Sequence, residues 1–234
     1  AVRYERGGAR GVAEYQLAAL ETRAEIGALD GLLAGLQQTA ASVEEVGNLE
    51  QISFLRRLRG RSEVLAGADA AALAAFEQAI RAARESGSDR PALEAELDRA
   101  ISLDRRIDPE AARQLVERAR ILGHARMRLL AGEVLTRALL EAGGSGERTQ
   151  AADLARQTLV LADRVGPWRR SFVLAHMLHR ASDDEGERRR AAQTVEESLR
   201  RLEANLPDAA ASSFAQLTVV QEARRVDAAL GNAP

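Results

Sequence analysis

Apolar residues recur three and four positions apart along almost the whole chain, which is the spacing of one face of an α-helix. The clearest stretch is residues 108–124, DPEAARQLVERARILGH, where Ala112, Leu115, Val116, Ala119 and Leu122 form a single stripe. Its ends carry their own signals. Asp108 suits an N-cap, Pro109 sits at the first helical position where no N–H is needed, Glu110 favours the positive end of the dipole, and Gly123 suits a left-handed C-terminal cap. The same periodicity predicts a long helical stretch from Val12 to Ala41. There Ile26, Leu29, Leu33, Leu36, Ala40 and Val43 make a heptad-like seam, readable as a dimerising coil or as the start of a hairpin. Gly27, Gly31 and Gly35 favour the hairpin. Ser42 with Glu45 reads as a capping box opening the next helix, which runs to about Leu65. Further helices are expected over 70–85, 92–103, 124–141, 147–164 and 168–181, with the acidic run 182–187 capping one that ends near Asn205. Two short helices, 209–217 and 218–230, follow Pro207. The total is roughly ten or eleven helices joined by short loops, and no stretch alternates as a strand does.

The stripes share a small–large–small pattern, Ala112/Val116/Ala119, on one helical face. It recurs at Ala72/Phe76/Ala79, Ala155/Leu159/Ala162 and Ala191/Val195/Ser198, with first members separated by 40, 43 and 36 positions. Small residues let a neighbouring helix approach and the large one fills the gap, so this face is expected to be buried packing. A recurrence of roughly 34 to 47 residues is that of helix–turn–helix arrays. The four triplets resemble the second-helix signature of tetratricopeptide-like repeats over about residues 44–205. The Trp, Leu-Gly and Tyr positions of that family's first helix do not occur in order, and its closing proline is met only at Pro167 and Pro207. The tail, with Leu206–Pro207 and Phe214, resembles the end of helical-repeat regions in large bacterial signalling ATPases and Ser/Thr kinases. The resemblance implies an all-α chain folded as an α-solenoid of antiparallel hairpins in a right-handed superhelix. The expected organisation is a linker over 1–11, an N-terminal hairpin over 12–66, repeats over 67–205 and a capping region over 206–234.

Composition narrows the chemistry. Aromatic residues are 3% of the 234, so the core must be built from Leu, Ala, Val and Ile. There is no cysteine, which excludes disulfides and thiolate chemistry. There is no lysine either, since all 33 basic residues are arginine, and this excludes a complete P-loop, a pyridoxal Schiff base and the lysine of a protein kinase. The arginine and alanine bias suits a GC-rich bacterial genome. A net charge of −2 argues against a general polyanion binder. No apolar run is long enough to span a bilayer and no signal peptide is visible, so a cytoplasmic location is expected.

No catalytic constellation emerges, and neither a cofactor nor a metal is expected. His176 and His179 are spaced i,i+3 without the glutamate of a zinc helix. On a helical wheel His179 falls with Trp168, Phe172 and Ala175, as a packed residue, whereas His176 falls with Arg169 and Arg180, as a solvated one. The arginine clusters at 56–61, 169–170, 188–190, 200–201 and 224–225 are interleaved with acids and read mostly as solvated faces. The function expected is a non-enzymatic scaffold that binds a protein or peptide partner, in a bacterial signalling context. Tetratricopeptide-like arrays use the surface lined by their first helices, which nominates Arg126, Glu133, Arg137, Arg169, His176 and Arg180 as a groove for acidic ligands. Two alternatives are a ligand-sensing pocket near Trp168, and nucleic-acid binding of the kind seen in HEAT-like alkylpurine glycosylases. Oligomeric state is left open.

Overall fold

The computed structural model of the chain describes residues 2–29, 31–103, 107–165, 168–217 and 220–225, excluding the side chains of 2–10, 168, 169, 209 and 213. It is all-α, 86% helical, with no strand among the described residues. Among the described residues these helices follow one another: α1 (Val2–Glu25), α2 (Leu32–Val46), α3 (Leu49–Leu65), α4 (Asp69–Glu85), α5 (Asp89–Ser102), α6 (Pro109–Leu122), α7 (Ala125–Ala142), α8 (Ser145–Val165), α9 (Trp168–Ala181), α10 (Glu185–Ala204) and α11 (Asp208–Ala215). A further helical run covers 220–225. None of the described helices is long and apolar enough to cross a membrane. The chain divides into two compact units, Ala1–Arg105 and Arg106–Pro234.

The start and stop signals read from residues 108–124 are met in α6. The Asp108 carboxylate accepts the N–H groups of Glu110 and Ala111, each at 3.1 Å, and Gly123 closes the helix with φ 69°. Asp184 caps α10 in the same way, accepting from the Glu187 N–H at 2.6 Å. The N-terminal expectation is corrected. The stretch 12–41 is not one helix but the end of α1 and most of α2, separated by a turn with Gly27 and Gly31 in the left-handed region (φ 71° and 75°). The heptad-like seam is therefore cut in the middle, with Ile26 and Leu29 in the turn. Ser42 and Glu45 lie inside α2, and α3 is instead capped by Asn48, whose side chain accepts from the Gln51 N–H at 3.0 Å. Helix α1 already begins at Val2, inside the stretch expected to be a linker.

In the first unit each helix packs on the next, and α3 also touches both α1 and α5. Leu17, Leu20, Leu32, Leu36, Leu55 and Leu58 gather into one core cluster. In the second unit α6 through α10 likewise pack in sequence, and α7 touches α9. Phe172, Val173 and Met177 of α9 meet Val195 and Leu199 of α10, Phe214 of α11 and Val220. The four small–large–small triplets lie in these interiors. Ala72, Phe76, Ala79, Ala112, Ala119, Ala155 and Val195 are fully buried, and Val116 and Leu159 partly so. Among the described residues three helix pairs close to contact at a glycine, the first being α1 and α2, where a Cβ on Gly35 would stand 2.5 Å from Leu20. A Cβ on Gly60 would stand 2.9 Å from the Phe76 ring, and one on Gly132 would stand 2.6 Å from Thr158 Oγ1.

Candidate functional site

Two of the residues nominated from the sequence as groove contacts, Glu133 and His176, are buried. Glu133, on α7, is 1% exposed. Its carboxylate accepts from Arg170 of α9, whose Nη1 lies 2.8 and 3.0 Å from its two oxygens, and Arg137 Nη2 stands 3.6 Å away. Burying this carboxylate is tolerable only because a guanidinium is buried with it. Arg170, expected on a solvated face, is instead 8% exposed and belongs to the packing between α7 and α9. The two histidines exchange places relative to expectation. His176 is 7% exposed, while His179 is half-buried and its ring Nδ1 donates to the Arg188 carbonyl at 3.0 Å. His176 Nε2 stands 4.0 Å from Glu222, and its Nδ1 has no hydrogen-bond partner among the described residues. Burial, assisted by Arg180 and His179, pushes its pKa down to about 4. The helical wheel failed here because α9 is enclosed on two sides, so a polar neighbour at i+4 does not mark a solvated face.

Of the other nominated residues, Arg126 and Arg137 are half-buried and Arg180 is exposed. The side chains of Arg169 and Trp168 lie outside the described residues, so the groove contact at Arg169 and the pocket near Trp168 do too.

The cluster at 56–61 is also reassigned. Arg57 and Arg61 are buried in the first unit. Arg57 reaches Asp98 at 2.8 Å, Glu21 at 3.0 Å and Glu94 at 3.8 Å, so one guanidinium of α3 ties α1 to α5. Arg61 adds contacts of 3.9 Å to Asp98 and 4.0 Å to Glu25. Burial works against the Arg57 charge, yet Asp98, Glu21 and Glu94 raise its pKa above the ordinary guanidinium value. The arginines of the later clusters engage nearby acids, with Arg188 and Arg189 on Glu185, Arg200 on Glu196, Arg201 on Glu197 and Arg224 on Glu203.

Among the described residues the second unit holds an exposed cleft of about 340 Å³, lined by Arg148, His179, Arg180, Ser182, Asp183 and Arg188. It is supplied by the first turn of α8, the last turn of α9, the loop that leads into α10, and the first turn of α10 itself. The Ser182 hydroxyl accepts the Asp184 N–H at 3.1 Å and fixes that loop. Arg148 donates to the Arg180 carbonyl at 3.3 Å and stands 3.8 Å from Asp183. The Arg180 guanidinium has no hydrogen-bond or ion-pair partner among the described residues. Periodicity could not have found this cleft, because its residues come from two regions more than 30 positions apart. Among the described residues no three or more His, Asp or Glu side chains gather as a metal site would require. No protein-family model, no curated protein and no solved structure matches the chain.

Proposed function

We propose that the chain is a non-enzymatic scaffold that binds a protein or peptide segment, built as an α-solenoid of antiparallel helix hairpins like those of tetratricopeptide-like arrays. The observation that carries this reading is the register of contacts between alternate helices. Glu14–Gln51, Glu21–Arg57 and Glu25–Arg61 join α1 to α3 at offsets of 37, 36 and 36 residues. Arg57–Glu94 and Arg61–Asp98 join α3 to α5 at an offset of 37 each, and Glu133–Arg170 joins α7 to α9 at 37. Apart from Arg57–Asp98 at 41, these offsets stay within one position of each other, which supports a parallel course of α1, α3 and α5 and a repeating unit close to 37 residues. Between consecutive helices the numbers run oppositely. On α8 and α9, Asp163 meets Ser171 whereas Arg148 meets Arg180, as antiparallel neighbours do. Stacked hairpins of this kind present an extended surface made by one helix of each pair, which suits a peptide or a partner helix. The resemblance of the tail to signalling proteins supports a regulatory role in a bacterium.

The test is selection from a displayed library of random peptides on the immobilised chain. Enrichment of a peptide family that competes for one surface is expected. If no family is enriched, or if the chain instead shows salt-dependent retention on DNA, the scaffold reading fails.

A further inference from the structure

We propose that the cleft formed by Arg148, His179, Arg180 and Arg188 is the anchor for an acidic segment of the partner and takes its side-chain carboxylates. This deepens the scaffold reading and rests on it. Three arginines line one concavity from α8, α9 and α10, and Asp183 is the single acid among its described lining residues. The three arginines are only lightly engaged by the fold. Arg180 has no ion-pair or hydrogen-bond partner for its side chain among the described residues, Arg188 holds a 3.5 Å contact to Glu185, and Arg148 donates one 3.3 Å bond to the Arg180 carbonyl and stands 3.8 Å from an Asp183 side chain that is 87% exposed. An arriving carboxylate can replace Asp183 at Arg148 without uncovering a buried charge. In contrast, the arginines that hold the packing, Arg57 and Arg170, are buried against acids of other helices. The chain therefore separates structural arginines from available ones.

The openness of the cleft identifies the ligand as a chain of carboxylates. The side chains of Arg148 and Arg188 are 46% and 44% exposed, so water screens each contact and a single small anion gains little there. Several carboxylates on one peptide bind together because the second and later contacts are intramolecular. Guanidinium forks suit carboxylates through paired N–H donors.

The experiment measures fluorescence anisotropy of a fluorescein-labelled oligo-glutamate peptide, with an oligo-glutamine peptide of equal length beside it. The wild-type chain is expected to bind the first and not the second. The double variant Arg180→Gln/Arg188→Gln should weaken binding about tenfold or more, as expected when a charge-assisted hydrogen bond to the peptide is removed. Its circular dichroism should be unchanged, because neither side chain holds a buried partner. Arg81→Gln, a charge removal at an exposed site of α4, should leave binding unchanged. Equal weakening by Arg81→Gln would mean general attraction and overturns the cleft. Undiminished binding in the double variant also overturns the cleft while leaving the scaffold reading intact. Displacement of the peptide by low-millimolar inorganic phosphate overturns the peptide assignment in favour of a small anion. If oligo-glutamate does not bind at all, the proposal fails, and the library selection answers the scaffold question separately.

Discussion

Glu133 and Arg170 show what a single side chain contributes when its partner lies 37 residues away. A carboxylate in the interior costs several kcal/mol unless matched, so removing one member of the pair strands the other charge. Glu133→Ala or Arg170→Ala alone should therefore lower unfolding free energy by about 3–5 kcal/mol. The joint change Glu133→Leu/Arg170→Met should lie close to wild type in chemical denaturation. A double variant as unstable as the worse single would show that packing, not charge, dominates there. His176 makes a second residue-scale prediction. Its pKa falls to about 4 in the fold through burial and the neighbouring Arg180 and His179, with Glu222 the acid facing it across the contact. In the unfolded chain an ordinary imidazole titrates near 6.5, so the unfolded state binds the extra proton between these values. The stabilisation is full above pH 6.5 and is lost as pH falls toward 4, by about 3 kcal/mol at most. The stability of His176→Leu relative to wild type should consequently rise on going from pH 8 to pH 4.5, as read from denaturation midpoints. A constant difference would place the proton elsewhere. Neither role was legible from spacing. A charged residue on an amphipathic helix looks solvated until a second covered side is known.

At the scale of elements, much more could be read in advance. The α6 caps, the Asp184 cap and the buried triplets follow from local signals that tertiary packing did not override. The error over 12–41 is instructive, because Gly27 and Gly31 both supply the left-handed backbone that ends one helix and starts another, while the apolar spacing runs through the break. Where a glycine lies inside a helix its purpose is not visible in sequence at all. Gly132 and Gly11 are both helical, yet a Cβ on Gly132 would press on Thr158 whereas one on Gly11 would meet nothing within 4 Å. Helix propensity alone favours alanine by roughly 0.5–1 kcal/mol at either site. Gly11→Ala should realise that gain. Gly132→Ala should instead destabilise by about 1 kcal/mol, because crowding of about 1–3 kcal/mol outweighs propensity. Adding Thr158→Ala should recover most of the deficit. Thermal denaturation of the three variants decides the matter, and a stabilised Gly132→Ala would show that α7 and α8 have room to separate.

At the scale of the whole chain, the triplets suggest a recurrence but not the offset at which the helices pair. The triplets of α4, α6, α8 and α10 stand 40, 43 and 36 positions apart, whereas the contacts joining α1 to α3, α3 to α5 and α7 to α9 span 36 or 37 positions, except for Arg57–Asp98 at 41. The sequence hides this because the pairing residues differ from one level to the next: arginine on α3 faces acids of α1 and α5, but glutamate on α7 faces arginine of α9. In the first unit these contacts converge on Asp98, which is 3% exposed and meets Arg57 at 2.8 Å and Arg61 at 3.9 Å. If that junction holds three helices in register, Asp98→Asn should leave two buried guanidiniums under-matched and loosen α1, α3 and α5 together. Hydrogen exchange would report it as a rise in amide exchange shared by the three helices, since opening in one cooperative unit is read at every amide it contains. A rise confined to α5 would show instead that Asp98 serves its own helix, and that apolar packing around Leu17, Leu55 and Leu58 keeps α1 and α3 together without it.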